Sequence, residues 1–238
     1  MRIAAICCTY KRPAQLANAV ESFLRQDYPA HMRELLVLDD AGQYASNALD
    51  GLPNVRLVTT PHRFRTLGEK RNASAALASP DADAYCVWDD DDIYLPWHIQ
   101  SCVTALAEAD YTIPTLLCVE KGGQLRRKSN QYLFHGAWSF RRLAFAKVHG
   151  YPFIQSGQDQ GLLRRFKSSK LRRADPIQFD QRPSYIYRWF TTGCPWHLSA
   201  LGSDGYERLG EREQLDVNKL VPCWEKDWLA LWKSLDSA

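Results

Sequence analysis

Residues 87–96 read Val87-Trp88-Asp89-Asp90-Asp91-Asp92-Ile93-Tyr94-Leu95-Pro96, an apolar run followed by four consecutive aspartates. Adjacent carboxylates repel one another, so placing them at the end of a buried strand requires compensation, most simply by a bound cation. Side chains alternate between the two sides of an extended backbone, so Asp89 and Asp91 are expected on one side. The segment therefore predicts that two carboxylates converge on one metal ion.

The ligand chemistry selects the kind of metal. Carboxylate oxygens favour Mg2+ or Mn2+, which keep open positions for phosphate oxygens. A calcium loop of the EF-hand type is excluded, because position six counted from Asp89 is Tyr94 instead of glycine and position twelve is Gln100 instead of glutamate. The alternative interpretation is an acidic loop that caps the helix after Pro96. The apolar strand before the aspartates favours the metal.

Length and composition indicate one elaborated domain over residues 1–238. A chain of 238 residues with 45% hydrophobic content can bury a sizeable core, and no shift in composition requires a second domain. The seven cysteines have no repeated spacing, and Cys7 and Cys8 lie in an apolar strand, which is typical of reduced thiols. We therefore expect a cytoplasmic protein. We also expect no transmembrane segment, because no apolar run is long enough for one.

The net charge of +3 conceals a strong asymmetry. Residues 121–190 contain 15 Lys and Arg against 3 Asp and Glu, so this zone carries +12 and the rest of the chain −9. A solvated basic face is one explanation. The separation of the basic zone from the acidic motif favours a polyanionic partner or an anionic surface.

Strands alternate with helices in the first half of the chain, at the positions expected for an α/β fold. The apolar runs predict strands over residues 3–8, 34–38, 55–59 and 85–88. Helical spacing of the apolar residues from Leu16 to Leu24 predicts a first helix after Pro13, and further helices are predicted over about 68–78 and 96–109. This order predicts a mostly parallel sheet covered on both faces. In such sheets ligands bind at the carboxyl ends of the strands, where the second strand also ends in a pair of aspartates.

The second half has a different pattern. Two short strands flank the glycines of residues 121–123, which indicates a hairpin. We expect helices over residues 141–149, from Gln158 to Phe166 and over 224–235, and a strand over 184–189. The last helix is amphipathic, so we expect it to pack back on the domain.

Three motifs in this order resemble the GT-A glycosyltransferases of the large inverting family two. Residues 8–13, Cys-Thr-Tyr-Lys-Arg-Pro, are similar to that family's first nucleotide loop, residues 38–42 to its second, and residues 88–96 to its metal motif. Residues 157–159, Gly-Gln-Asp, are similar to the Glu-Asp pair that holds the family's catalytic base, with Gln158 in place of the glutamate. The resemblance covers about residues 3–190.

The resemblance implies a GT-A type, Rossmann-like three-layer fold with a mostly parallel central sheet and a variable acceptor-side region. It divides the single domain into a nucleotide-sugar-binding half of about residues 1–110 and an acceptor-side half of about 111–200. A C-terminal extension of about 201–238 follows and carries no family motif. The implied activity is metal-dependent, inverting transfer of a sugar from a nucleotide-diphosphate donor to an acceptor hydroxyl.

The resemblance also implies roles for individual aspartates. Asp91 is the leading direct metal ligand, Asp89 supports the metal, and Asp90 lies near the donor's ribose. Asp159 is the expected catalytic base. A carboxylate can accept a hydrogen bond from the N–H of uracil, so Asp40, with Asp39 second, would recognise the base of a UDP-sugar. The alternative for Asp40 is a turn aspartate before Gly42.

Other donor contacts are expected from polar and basic side chains near the strand ends. Thr9 and Tyr10 offer a hydroxyl and a stacking ring, although Tyr10 also suits an ordinary strand end. Lys70 and Arg71 follow Gly68 at a helix start, where they suit a diphosphate or form a solvated pair. The remaining two predicted site residues are Arg12 in the first loop and His197, which is either a metal or phosphate ligand or a structural histidine.

The sequence indicates the acceptor less clearly than the sugar donor. The basic run over residues 164–173 lies beside the expected base and suits phosphates, so a nucleic acid with a hydroxymethyl base is one acceptor hypothesis. A cell-envelope or lipid-linked glycan at an anionic membrane is the other. A nucleotidyltransferase would need a Gly-rich loop that residues 9–13 lack. A non-catalytic sugar or nucleic-acid binding module is disfavoured by the intact carboxylates.

Overall fold

A computed structural model describes residues 1–189 and 216–235 of the chain. The strands are β1 (Ile3–Thr9), β2 (Arg33–Asp39), β3 (Val55–Thr59), β4 (Ala84–Val87), β5 (Ile93–Tyr94), β6 (Tyr111–Thr112), β7 (Leu116–Lys121), β8 (Gln124–Ser129), β9 (Ser139–Arg141), β10 (Arg173–Ala174) and β11 (Tyr185–Arg188). The helices are α1 (Pro13–Leu24), α2 (Leu67–Leu77), α3 (His98–Leu106), α4 (Arg142–Lys147), α5 (Gln158–Ser168), α6 (Ile177–Asp180) and α7 (Trp228–Ser234).

The central sheet has the strand order β10-β6-β9-β4-β1-β2-β3. Strand β1 pairs in parallel with β2, from Ile3 opposite Arg33 to Thr9 opposite Asp39, and β4 pairs in parallel with the other edge of β1. Strand β9 is the exception, because it runs antiparallel to both β4 and β6. The prediction of an α/β fold with a mostly parallel central sheet is confirmed. The parallel register brings the carboxyl ends of β1, β2 and β4 together.

Both faces of the sheet are covered, because alternate residues of β1 contribute to two different cores. Ile3, Ala5 and Cys7 pack with buried side chains of α1 and α3. Ala4 and Ile6 pack on the other face with apolar residues of α2, α4 and α5. Burying apolar area on both faces of the central strands stabilises the three-layer arrangement.

A second, four-stranded sheet has the order β5-β11-β7-β8. The predicted hairpin is present, and Gly122 and Gly123 adopt φ of 61° and 81° in its turn, which suits glycine. Ile93 and Ile186 of this sheet pack against Trp228 and Trp232 of α7. Helix α7 therefore packs back on the domain, as predicted.

Helix α7 starts at Trp228, four residues later than the predicted boundary. Asp227 caps it by accepting a hydrogen bond from the backbone N–H of Ala230 over 2.9 Å, which ends the preceding loop. Trp224 lies in that loop and donates to Ser22 Oγ over 2.9 Å. No helix within residues 1–189 and 216–235 is long and apolar enough to cross a membrane. The cytoplasmic location stays a prediction.

Candidate active site

A cavity of about 340 Å³ opens where β1, β2 and β4 end. Its wall also includes residues 133–136 before β9, residues 155–159 at the start of α5 and two tyrosines of β11. Nine predicted site residues line it: Thr9, Tyr10, Arg12, Asp40, Lys70, Arg71, Asp89, Asp91 and Asp159. The adjacent ends of the parallel strands explain why six of these residues meet, and the first turns of α2 add Lys70 and Arg71.

Three predicted site residues do not line this cavity. Asp39 and Asp90 are fully buried behind it. His197 lies outside the described residues, so its predicted role as a metal or phosphate ligand remains a prediction.

Arg12 is the main counter-charge of the aspartate motif. Its guanidinium binds both oxygens of Asp90 and donates to Asp91 Oδ2 over 2.5 Å. The extended backbone expected for residues 89–92 is not present, because the chain turns at Asp90 and Asp91, and one arginine therefore reaches both. Burial raises the pKa of Asp90 to about 6 and Arg12 opposes that rise, so this carboxylate is charged at neutral pH.

The other two aspartates of the motif also have protein partners. Arg71 Nη2 donates to Asp89 Oδ1 over 2.8 Å. Asp92 accepts hydrogen bonds from the Tyr185 hydroxyl and from the backbone N–H of Arg188, at 3.1 Å for the latter, and so joins the motif to β11. The four carboxylates are therefore compensated largely by arginines and hydrogen-bond donors, where the sequence predicted a bound cation as the simplest compensation.

The described residues fit a metal that shares its ligands with a diphosphate. Asp89 and Asp91 both line the cavity and supply carboxylate oxygens. Mg2+ is typically held by one or two carboxylates together with substrate phosphates, and the two aspartates match that need. Within residues 1–189 and 216–235 no group of three or more His, Cys, Asp or Glu side chains forms a protein cage for a metal.

The two aspartates after β2 have different roles. Asp39 accepts hydrogen bonds from the backbone N–H groups of Ala41 and Gln43 and from Thr59 Oγ1, at 3.0, 3.1 and 2.9 Å, so it stabilises its own loop. Asp40 lines the cavity and forms an ion pair with Lys70. Of the pair, only Asp40 is placed to contact a ligand.

Lys70 and Arg71 are engaged with the protein as well as facing the cavity. Lys70 Nζ donates to Thr9 O over 2.5 Å in addition to its ion pair with Asp40. The side chains of Lys70 and Asp40 are both at least nine-tenths buried. Neither residue forms the solvated pair that was the alternative. Tyr10 also has a partner, because the guanidinium of Arg63 lies 3.8 Å from the centre of its ring.

Asp159 lies in the first turn of α5, after Gly157 in the left-handed region at φ 73°. Its backbone N–H donates to the side-chain oxygen of Gln158, and Gln160 Nε2 lies 3.4 Å from its carboxylate. Gln158 is buried, and its hydrogen bond with the N–H of Asp159 lies at the helix start. Asp159 shares one cavity with Asp89 and Asp91, although it is 68 or more residues away in the sequence.

His135 is a cavity residue that the sequence did not predict. It is 7% exposed, and its Nε2 lies 3.0 Å from the Tyr151 hydroxyl. Burial and the positive charge of Arg71 lower the pKa of His135 to about 3, so the imidazole is neutral. His135 and Gly136 belong to no recognised motif, so the sequence gives no pattern from which this position could be inferred.

Comparison with known proteins identifies what the chain is similar to. The model of the family described as "Glycosyl transferase family 2" matches residues 4–170. A search of curated proteins finds no match.

Similar solved structures belong to larger proteins. The S. aureus TarS fragment 1-349 in complex with UDP-GlcNAc superposes with a TM-score of 0.65 at 16% identity, over 82% of this chain and 60% of that one. A mannosyltransferase from Pyrobaculum calidifontis in complex with GDP-Man and Mn2+ gives a TM-score of 0.60 at 17% identity, over 81% and 58% of the two chains. The chain thus spans about three fifths of the length of these structures, and the likeness supports the fold.

Proposed function

The chain belongs to glycosyl transferase family 2, and from that premise we propose that it is a metal-dependent, inverting enzyme that transfers a sugar from a UDP-sugar to an acceptor hydroxyl. The observation that carries the proposal is the shared cavity of Asp89, Asp91 and Asp159. This reaction needs carboxylates that bind the metal of the diphosphate, and it needs another carboxylate that removes the acceptor's proton. The donor half is about residues 1–110 and the acceptor-side half about 111–200.

The donor-binding part follows from the groups at the strand ends. Asp91 and Asp89 would hold the metal, which when bound neutralises charge on the departing diphosphate. Asp40 keeps acceptor capacity beside its contacts with Lys70 and the backbone N–H of Phe64, since a carboxylate can accept about four hydrogen bonds. This capacity supports recognition of the uracil N–H.

Asp159 is the proposed general base. In an inverting transfer the acceptor attacks opposite the departing diphosphate, and a carboxylate on that side removes the hydroxyl proton. Lys70 and Arg71 hold Asp40 and Asp89 in place through their ion pairs. This preorganisation reduces the rearrangement needed when the donor binds.

The acceptor-side proposal rests on a basic lip formed by Lys128, Lys167 and Arg173 around Tyr132 and Phe134. Lys167 and Arg173 lie 4.8 and 5.0 Å from the centre of the Tyr132 ring, and Lys128 lies 5.4 Å from that of Phe134. All three cations are exposed, and none pairs with a carboxylate of the described ranges 1–189 and 216–235.

The lip adjoins the cavity, because Phe134 contributes to the cavity wall together with Leu133, which is 65% exposed. Gln160 Nε2 donates to Tyr132 O over 2.9 Å and so connects the lip to the helix of Asp159. Unneutralised cations beside the expected base favour a phosphate-bearing acceptor. We propose hydroxymethylated DNA as that acceptor, with a cell-envelope or lipid-linked glycan as the second acceptor to be tested.

Arg165 is not part of this acceptor surface, although it belongs to the basic run over residues 164–173. Its Nη1 donates to the carbonyls of Gly150 and His149 over 2.7 and 3.2 Å. These bonds tie α5 to the end of α4, so the residue has a structural role.

The proposal is tested by measuring UDP binding and turnover in wild type and in Asp159→Asn. We expect wild type to release UDP from UDP-glucose or UDP-N-acetylglucosamine when Mn2+ is present. Asp159→Asn should keep its UDP affinity and lose about 10²-fold or more in turnover. Asp180→Asn, on α6 and outside the cavity wall, serves as the control. Release of no nucleotide from any sugar donor would indicate a binding module, and full turnover in Asp159→Asn would place the base elsewhere.

A further inference from the structure

The imidazole of His135 has one nitrogen with a partner and one without. Nε2 contacts the Tyr151 hydroxyl at 3.0 Å, whereas Nδ1 is buried and makes no hydrogen bond with any described residue. The residue lines the cavity. A buried polar atom without a partner is unfavourable, and in a ligand cavity it indicates a partner that arrives with the ligand.

The Tyr151 hydroxyl determines which nitrogen carries the proton. Tyr151 is 1% exposed, and His135 is the only partner of its hydroxyl among the described residues. The Tyr151 hydroxyl therefore donates its hydrogen bond to Nε2. If Nε2 were the donor instead, the buried O–H would have no acceptor. In the neutral imidazole the remaining proton is then on Nδ1. The unpartnered atom is thus a donor, and its missing partner is an oxygen.

The ring is held firmly in the cavity wall. The rings of Trp138 and Tyr151 pack edge-on against it, with centroids 5.0 and 5.5 Å away. The next residue must be glycine, since a Cβ at Gly136 would lie 2.6 Å from the Tyr185 hydroxyl and 2.9 Å from Asp89 Oδ2. This close approach fixes the backbone of residues 135–136 beside the aspartate motif.

Three charged groups that share the cavity wall with His135 indicate which part of a donor it would meet. They are Arg71 of α2, Asp89 after β4 and Asp159 of α5, and a Cβ at Gly136, the next residue, would lie 2.9 Å from Asp89 Oδ2. In an in-line transfer the reacting sugar lies between the departing diphosphate and the general base, the two groups that these residues are proposed to serve. A neutral N–H donor suits a sugar hydroxyl or amide oxygen, whereas a phosphate is better matched by cations.

We infer that His135 is a donor-specificity residue whose Nδ1–H donates a hydrogen bond to an oxygen of the transferred sugar. The inference rests on the proposed function and adds a residue that recognises the transferred sugar. Because the nucleotide and the sugar are separate parts of the donor, loss of this hydrogen bond should weaken binding of the sugar nucleotide and leave binding of UDP unchanged.

The test compares UDP with UDP-glucose and UDP-N-acetylglucosamine by calorimetry with Mn2+ present. In wild type we expect at least one sugar nucleotide to bind more tightly than UDP. His135→Leu should lower that advantage about 3- to 10-fold, the range of one hydrogen bond, without changing the affinity for UDP. His135→Asn retains an N–H donor near the position of Nδ1 and should keep most of the advantage. His31→Leu, at an exposed site, is the control.

Deoxy analogues of the preferred sugar nucleotide provide a test that does not depend on how the variant folds. One analogue, which lacks the oxygen that accepts from Nδ1, should bind wild type more weakly and bind His135→Leu no more weakly than the parent compound. An unchanged ratio of sugar-nucleotide to UDP affinity in His135→Leu would overturn the inference while leaving the proposed function intact. Failure of wild type to bind UDP or any sugar nucleotide would instead overturn the proposed function.

Discussion

Arg12 Nη1 donates to Asp91 Oδ2 over 2.5 Å, and these two residues are 79 positions apart in the sequence. The loop after β1 and the aspartate motif after β4 therefore form one electrostatic unit. Asp91 is also the leading proposed metal ligand, so it would be shared between Arg12 and the metal. The shared carboxylate makes the metal dependence of donor binding a direct test of the site.

UDP binding is expected to require a divalent metal, and Asp91→Ala should remove most of that requirement. The alanine variant loses one of the two carboxylates in the cavity, so the metal contributes less to holding the diphosphate. Calorimetric titration of UDP with Mn2+ and in excess chelator measures the difference. Asp81→Ala, at an exposed aspartate paired with Arg2, is the control. Equal UDP affinity in chelator, or an unchanged metal dependence in Asp91→Ala, would show that the metal assignment is wrong.

The buried ion pair of Lys70 and Asp40 should behave as a coupled unit in folding. Both side chains are about 95% buried, so Lys70→Met leaves an unpaired carboxylate and should reduce the free energy of unfolding by about 3 kcal/mol. The double variant Lys70→Met, Asp40→Asn should recover most of this loss, since no buried charge is left without a partner. Urea unfolding of the four proteins of the cycle measures the coupling.

The exposed pair of Arg2 and Asp81 is the matched reference for that cycle, and its removal should change stability by less than about 1 kcal/mol. If the losses for Lys70→Met and Asp40→Asn simply add in the double variant, the two side chains do not interact in solution as they do in the structure.

His135 should make the protein less stable in mild acid. Its pKa falls from an ordinary value of 6.5 to about 3, so the folded state resists a proton that the unfolded state accepts. The stability contribution is complete above pH 6.5 and decreases as the pH falls below it, by about 2 kcal/mol at pH 5. Asp90, with its pKa raised to about 6, acts in the opposite direction over the same range.

The comparison with His135→Asn isolates the histidine, because Asp90 is present in both proteins. Unfolding free energies measured in chelator at pH 7.5 and pH 5 should show a smaller decrease for the variant than for wild type. Parallel pH dependences would mean that the buried imidazole is protonated in the folded protein.

The central sheet could be predicted from the sequence because its strands and helices are encoded locally. Strands such as Ile3–Thr9 and Val55–Thr59 are short apolar runs between turn residues, and the alternating order implies parallel pairing. Strand Ser139–Arg141 was not predicted, since three residues carry no periodicity and its antiparallel place between β4 and β6 depends on distant pairing.

The site was predictable to the extent that it lies at strand ends. Asp40, Asp89 and Asp91 belong to predicted motifs, and they line one cavity because the parallel strands before them end at one edge of the sheet. Their partners were not predictable, because the ion pair of Arg12 with Asp91 joins residues 79 positions apart. The basic run over residues 164–173 suggests one phosphate-binding surface, but Arg165 donates to backbone carbonyls instead.

The basic lip leads to the final prediction, which separates the proposed acceptors. If Lys128, Lys167 and Arg173 contact phosphates, hydroxymethylated duplex DNA should bind with an affinity that falls steeply as salt rises. Changing the three residues to alanine should reduce the slope of log affinity against log salt by up to about 3 and lower transfer to this DNA. UDP affinity should not change, since these side chains are outside the cavity wall.

The triple variant of the exposed Lys147, Lys219 and Lys233 carries the same change in charge outside the lip and should keep the wild-type slope. The lipid-linked glycan would be favoured if wild type associated with anionic vesicles and bound DNA negligibly at low salt. A basic lip that contacts DNA phosphates must bind DNA at low ionic strength, where its charges are least screened.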